Sequence, residues 1–495
     1  MKKFSQFYKK LNIIKNIKNF IANNIFIILI LILALLKGLL WIGLVPALQT
    51  PDADRHFSTV MWYAEPGINV FSSKSKSSKS DMFDSSTYSV PQEYKEFLKT
   101  IQFEQNRFNP NQHQIFANDS IYGSEEEKFS EEKFSRHFEK LPPTIVRYPF
   151  LYYETSSWVY NIFQNNSLIN RLYAVKLYNL SLGIIILYII FKTALVLRFS
   201  KKNSSLIAGI IAFQPMLSFM NTAINVDILL ILGTSLFTLS SVLVLKNSWT
   251  KKNIFLMLLA CMISSFAKPI GIITLPFLAL LFFYKLSAES KTKKKKLVWM
   301  ILGFPAILLL IIVSKLIPSL SSLLPSANRI QTITDSLLPY LQNHFNLLEQ
   351  YKLFASYWGW FGWLDYPMNQ ATNIIIFLAL IIGVTSFLFF LVKKNSAKYK
   401  EEKRILIYFV IILLLFHIAV IYSEFSYLTR SGKMFGLQGR YFLPMILPFF
   451  LIIIKGYQFL LKKYNLQNIL LCLFVLMVLL NFISIFNYII PAYYL

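Results

Sequence analysis

Residues 24–45 read NIFIILILILALLKGLLWIGLV, a run whose one charged residue is Lys37. At 1.5 Å rise per residue it crosses the roughly 30 Å hydrocarbon layer of a bilayer. It exceeds the roughly 7–15-residue core of a cleaved signal peptide, and no small-x-small site follows, so it reads as a retained span. Pro46 closes it, because a prolyl ring cannot continue the helical ladder. Ten further apolar segments follow: Ala174–Leu197, Ser204–Met220, Val226–Leu245, Asn253–Phe266, Ile270–Tyr284, Leu297–Leu316, Thr372–Val392, Ile405–Tyr422, Tyr441–Ile454 and Leu466–Ile490. This predicts an all-α polytopic integral membrane protein with about 11 transmembrane helices. The fifth and sixth segments share a Pro-Gly break at Pro269 and Gly271, and read as two spans or one re-entrant pair.

Composition points the same way. Of 495 residues, 55% are hydrophobic and 16% aromatic, with a mean hydropathy of +0.50. Water does not tolerate so much apolar surface, whereas lipid solvates it. The net charge of +26 would suggest nucleic acid in a soluble protein. Here no basic patch falls on anything resembling a soluble module, so nucleic-acid binding is set aside and the charge is read as topology beside anionic lipid headgroups. Cys261 and Cys472 both fall in apolar segments, which assigns them to packing and leaves the large outer loop without a disulfide framework.

Lys and Arg crowd alternate connections. Met1–Asn23 carries six lysines, Arg198–Lys202 three basic residues, Lys246–Lys252 three, Lys285–Lys296 six, Lys393–Arg404 six and Lys455–Lys463 three. Sixteen of the 24 acidic residues lie between Pro51 and Arg171. The positive-inside rule then places the amino terminus in the cytoplasm. Abundant Lys, Asn, Ile and Phe suggest an AT-rich bacterial genome, so the expected location is a bacterial plasma membrane. Residues 1–23 form a basic cytoplasmic amino terminus and 24–45 the first span. Residues 46–173 form a large extracytoplasmic loop, 174–490 a helical transmembrane domain with outer loops 318–370 and 423–440, and 491–495 an extracytoplasmic carboxyl terminus. The large loop is Ser/Lys-rich at Phe71–Asp81 and acidic at Glu125–Glu139, compositions that favour disorder. Residues Val146–Phe163 predict an aromatic membrane-surface helix bearing Tyr148, Tyr152, Tyr153, Trp158 and Tyr160. Lys176, Lys192 and Lys315 lie close enough to span ends to snorkel, while Lys37 at mid-span needs a buried partner or a shifted boundary.

Four polar constellations fall on the outer side. Pro51-Asp52-Ala53-Asp54-Arg55-His56-Phe57 offers two carboxylates and an imidazole, suited to a general base or a metal ligand, or to plain interfacial charge with Asp54 paired to Arg55. Gly436-Leu437-Gln438-Gly439-Arg440-Tyr441 opens a span whose helix start, together with a guanidinium, suits phosphate, although an arginine snorkelling to water fits equally. Lys268, in Ala267-Lys268-Pro269-Ile270-Gly271, needs either a lipid phosphate or a structural carboxylate. Asn225 and Asp227 suit a helix cap. Trp358, Trp360, Trp363 and Asp365 suit sugar stacking and hydroxyl binding, or a headgroup anchor.

Taken in chain order, these pieces resemble a bacterial polytopic family, domain of unknown function 2142, which is similar to the C-type, polyprenyl-phosphate-dependent glycosyltransferases. The resemblance rests on Pro51, Asp52, His56 and Phe57; Tyr148, Pro149, Leu151, Tyr152 and Tyr153; Pro215, Met216 and Asp227; and Lys268 and Pro269. It continues through Gly359, Gly362, Trp363, Leu364 and Asp365 to the intact Gln438-Gly439-Arg440-Tyr441. Where the family carries Asp-Glu, this chain has Asp52-Ala53 with a second carboxylate at Asp54, which leaves open which acid acts and whether a metal pair survives.

The resemblance implies an inverting membrane glycosyltransferase. It would move a sugar from a polyprenyl-phosphate donor to a cell-wall glycan or lipid acceptor, with the lipid bilayer as its other partner. Asp52 or Asp54 would be the base; Arg440, Lys268, Gln438 and Tyr441 would hold the donor phosphate; His56, Asp227, Trp363, Asp365, Tyr152 and Tyr153 would bind substrate. No cofactor is fixed, and a divalent cation stays open. A flippase for lipid-linked sugars or a polysaccharide polymerase are the alternatives.

Overall fold

The structure, a computed structural model, describes residues 2–65, 90–107, 148–246, 249–289, 330–393, 399–432, 434 and 436–494. Among them the only strands are the two-residue antiparallel pair β1 (Trp360–Phe361) and β2 (Tyr366–Pro367). Most of the rest is helical, as lipid requires of a spanning segment, because a helix satisfies its own backbone groups. In order come α1 (Lys2–Leu44), α2 (Ala53–Ala64), α3 (Gln92–Thr100), α4 (Phe103–Asn106) and α5 (Leu151–Ile162). Then follow α6 (Leu168–Val196), α7 (Lys201–Ala212), α8 (Pro215–Met220), α9 (Asp227–Lys246), α10 (Lys251–Ala267) and α11 (Thr274–Glu289). The last are α12 (Ile330–His344), α13 (Leu347–Trp358), α14 (Gln370–Lys393), α15 (Lys400–Ser431), α16 (Ile446–Leu460), α17 (Leu466–Ser484) and α18 (Ile490–Tyr494).

Among the described residues, eight helical stretches are long and apolar enough to cross a membrane: Ala22–Leu44, Leu168–Val196, Asp227–Lys246, Pro269–Leu286, Gln370–Lys393, Lys400–Thr429, Gly439–Leu460 and Leu466–Tyr494. The chain is therefore a multi-pass membrane protein. Two expected spans differ. Ser204–Met220 is broken into α7 and α8 because Pro215 brings no N–H to the ladder. The fifth segment is the 17-residue α10, followed after Lys268 by a 3₁₀ turn over Pro269–Ile273 that leads into α11. Leu297–Leu316, Lys315, Phe71–Asp81 and Glu125–Glu139 lie outside the described residues.

Local sequence sets where helices begin. Ser167, Ser200, Thr250 and Asn465 each accept a backbone N–H from the first turn of α6, α7, α10 and α17, which satisfies donors that the helix itself cannot. Lipid sets which side faces out. Leu36, Ile375, Phe389 and Val392 are 57–77% exposed, while Thr234, Ser235, Thr238, Ser240 and Ser241 of α9 are buried. Small polar residues on buried faces let membrane helices approach closely. Thr234 spends its hydroxyl on Pro444 O at 2.7 Å, tying α9 to the 3₁₀ turn Gly439–Met445.

The break between α7 and α8 is sealed from within. Lys37 donates to Ala212 O and, at 2.7 Å, to Ser218 Oγ. Asn481 donates to Phe213 O at 3.2 Å and to Ser218 Oγ at 2.8 Å, and accepts from Trp41 Nε1 at 3.0 Å. Lys37 thus has its buried partner. Lys192 is exposed, but Lys176 does not snorkel: it is 2% exposed and donates to Val45 O at 3.0 Å.

Packing divides the bundle into two ends. Lys201 reaches Asn23 O, Lys246 reaches Val196 O, Lys285 reaches Val244 O, Lys403 reaches Leu391 O, and Lys455 pairs with Glu402. These contacts gather the basic connections at one end. Val45, α2, the start of α9, Lys268 and Arg440 lie at the other. There the expected loop 423–440 is short, since α15 runs to Ser431 and the next helical turn begins at Gly439. The expected surface helix is α5, but it is half-sunk: Tyr152 and Tyr153 are fully buried and Tyr160 nearly so, while Trp158 is 62% exposed.

Candidate functional site

The chain turns sharply after α1, with Leu48 and Asp52 both in the left-handed region at φ 59° and 63°. Asp tolerates that conformation better than most residues, and it places Asp52 at the N-cap of α2. The other wall is the 3₁₀ turn Gly439–Met445. Gly439 N–H donates to Ser356 Oγ at 2.7 Å, and a Cβ on Gly439 would run into the Tyr357 backbone. This close approach needs glycine and fixes Arg440 one residue on.

Two ion pairs result. Arg440 Nη2 donates to Asp52 Oδ2 at 2.8 Å across 388 positions, and Lys268 Nζ donates to Asp227 Oδ1 at 2.6 Å. Tyr441 joins them, its ring centroid 4.7 Å from Lys268 Nζ and 5.3 Å from the Arg440 guanidinium carbon. His56, one helical turn after Asp52, stacks on Tyr153 and shares a 2.8 Å hydrogen bond between Nδ1 and Tyr153 Oη. Its imidazole feels Asp52, Asp227, Lys268 and Arg440, and so lies among both pairs. Tyr148 feels Asp52, Asp227, Lys268 and Tyr441.

Electrostatics distinguish these groups. Burial raises the Asp52 carboxyl, but Arg440, His56 and Arg55 outweigh it and hold the group below the usual carboxylate range. Burial pushes His56 down to about 4, so it is neutral at physiological pH, and pushes Tyr148 up to about 12. Burial also opposes the Lys268 charge, yet Asp227 together with Tyr148 and Tyr441 keeps it above the usual lysine value.

Asp54 faces elsewhere. It is 3% exposed, its backbone oxygen accepts from Tyr94 Oη at 3.0 Å, and Arg107 and Arg55 are its charged neighbours. Burial pushes it up to about 6, against the pull of those arginines. Arg107 in turn lies over the Trp363 ring at 4.7 Å.

Of the expected residues, Asp52, His56, Asp227, Lys268, Arg440 and Tyr441 meet, with Tyr153 holding His56 from behind. Gln438 is adjacent and half-buried; its Oε1 has no hydrogen-bond partner among the described residues. Tyr152 is buried and donates to Asn179 Oδ1 at 3.0 Å. Trp363 is 3% exposed and donates to Leu48 O at 3.1 Å, so its ring packs in the core instead of standing free for a sugar. Asp365 belongs to the turn between β1 and β2, where its carboxyl takes the Trp363 backbone N–H.

Two contributors were not singled out from sequence. Tyr148 appears there as an interface aromatic and as part of the family resemblance, with no site role. Glu424, 4% exposed near the end of α15, accepts from Tyr340 Oη at 2.9 Å and from the backbone N–H groups of Gly436 and Leu437, which anchors the approach to Gln438. An acid in so apolar a segment was the available signal. Among the described residues no group of three or more His, Cys, Asp or Glu side chains is placed to hold a metal ion.

A family profile described as "Predicted membrane protein (DUF2142)" matches residues 35–449, from within the first span to beyond Arg440. No curated protein and no solved structure matches the chain. The profile spans both walls of the site and most of the helices that carry them, so the chain belongs to the predicted membrane protein family DUF2142.

Proposed function

We propose that this protein is an inverting glycosyltransferase that uses a polyprenyl-phosphate-linked sugar at the outer face of the bacterial plasma membrane. The observation that carries the reading is the meeting of Asp52 with Arg440, an acid and a guanidinium from distant parts of the chain, at the end opposite the basic loops. The positive-inside rule puts that end outside.

In the reaction, an acceptor hydroxyl on a wall glycan or lipid attacks the anomeric carbon. A bond forms from acceptor oxygen to that carbon as its bond to the lipid-phosphate oxygen breaks. The hydroxyl proton passes to the Asp52 carboxylate, and the lipid phosphate leaves with the bonding electron pair. Arg440 stabilises the leaving anion, the kind of preorganised charge that dominates many transition states. Asp52 is favoured over Asp54 because its carboxylate is 42% exposed whereas Asp54 is enclosed.

The test is transfer by the purified full-length protein in lipid nanodiscs, with a labelled polyprenyl-phosphate sugar and envelope acceptors. Product formation that is lost in Asp52→Asn and kept in Asp54→Asn is the expected result. Transfer by Asp52→Asn removes the base assignment. Movement of an unaltered sugar lipid across vesicles would favour a flippase, and long products a polymerase.

A further inference from the structure

Arg440 is under-filled by its partner. Nη2 meets a single Asp52 oxygen at 2.8 Å, Nη1 reaches only Pro51 O at 3.5 Å, and the buried Nε has no hydrogen-bond partner among the described residues. A guanidinium presents five N–H donors in a fork that matches paired oxygens. Asp52 is equally out of its usual place. At an N-cap its side chain would ordinarily accept an N–H from the first turn, yet it makes no cap bond and turns to Arg440 from a left-handed backbone. Exposure is lopsided as well, 42% for the Asp52 side chain against 1% for Arg440. A ligand arriving from the open side meets the acid first and the guanidinium behind it.

We infer that the Asp52–Arg440 ion pair is a lock on the resting site, opened when a lipid phosphate displaces the carboxylate from the guanidinium and leaves Asp52 free to act as base. A phosphate ester brings two or three oxygens to the fork where Asp52 brings one, which favours the exchange. The event that seats the donor therefore also releases the base, so proton abstraction waits for the donor. Lys268 does not open in the same way, because its carboxylate, Asp227, is only 3% exposed. Tyr441, shared by both cations, keeps Lys268 beside the guanidinium during the exchange. The identity of the freed carboxylate as a base rests on the glycosyl-transfer reading; the displacement itself does not.

The experiment titrates the full-length protein in nanodiscs with a short polyprenyl phosphate bearing no sugar, with the unphosphorylated polyprenol as control. Asp52→Asn removes the competing anion and is expected to bind the phosphate about tenfold more tightly than wild type. Arg440→Gln is expected to lose that binding, and polyprenol binding is expected to be unchanged throughout. Equal or weaker phosphate binding by Asp52→Asn overturns the lock. Asp52→Ser repeats the measurement without an amide that could replace the carboxylate. If neither variant is monodisperse, the pair is a structural fastening and the lock falls. Inorganic phosphate separates the sources of the anion: binding as tight as that of polyprenyl phosphate overturns the lipid assignment. A wild type that obeys these expectations yet transfers no sugar removes the glycosyltransferase reading and leaves the lock.

Discussion

Arg171 and Arg440 are both almost sealed in protein, lie at the same end of the bundle, and each meets one carboxylate. Glu93, the partner of Arg171, has a side chain only 5% exposed, while Asp52, the partner of Arg440, is 42% exposed. The first pair is further closed by Tyr160, whose hydroxyl accepts from Arg171 and whose ring lies 5.0 Å from the guanidinium carbon. It clips α3 to the base of α6. The second is open on its acidic side, faces a second ion pair and a neutral imidazole, and is held by a strained turn and a glycine contact. The same two functional groups are thus covered on both sides in one pair and open on the acidic side in the other, which is where the proposed function places its chemistry.

The comparison can be broken most directly at Asp52. Asp52→Asn is expected to lower sugar transfer about 10²–10⁴-fold, the usual contribution of a general base, with an unchanged thermal unfolding midpoint. A large fall in the midpoint would put this pair in the same class as Glu93–Arg171. Conversely, Glu93→Gln leaves the Arg171 charge buried without its counter-ion and is expected to destabilise by about 3–5 kcal/mol. Fluorescence-detected size-exclusion after heating reads this, and a protein of unchanged stability would deny the clip.

Asp54 sharpens the contrast through pH. Its carboxyl is raised to about 6, so folding favours the protonated form. That contribution is full below the unfolded carboxylate value near 4 and is lost as pH rises through about 6. Asp54→Asn should match wild type in stability at pH 4 and exceed it by about 1–3 kcal/mol at pH 8. Equal pH profiles would show that Arg107 and Arg55 fully offset burial. The smallest effect belongs to Trp363→Phe, which removes the hydrogen bond to Leu48 O. Stability should fall by about 1 kcal/mol with KM for the donor unchanged; a raised KM would restore Trp363 to the substrate surface.

Much of the fold was legible because lipid imposes a simple local rule. A run such as residues 24–45 must be helical wherever it sits, and Ser167, Ser200, Thr250 and Asn465 mark helix starts by chemistry carried within one turn. The break at Pro215 was less legible. Its carbonyls are tolerable in the membrane only because Lys37 and Asn481, distant in sequence, reach them. Lys176 misled for a related reason. Nearness to a span end suggests snorkelling, but helix packing closes over the residue and presents Val45 O instead.

At the site, sequence alone determined the cast: a carboxylate pair after the first span, a lone lysine before a proline, and an arginine opening a later span. It also placed them at one end, since alternating basic loops leave only the other end for these groups. What the tertiary structure decided is how the charges divide. Asp52 and Asp54 are two positions apart yet diverge at the start of α2, one to Arg440 and the other toward Arg107. The physical reason is one of range. Transfer into lipid acts on each segment by itself, whereas an ion pair depends on which helix faces meet, and residues 388 positions apart carry no local record of that meeting.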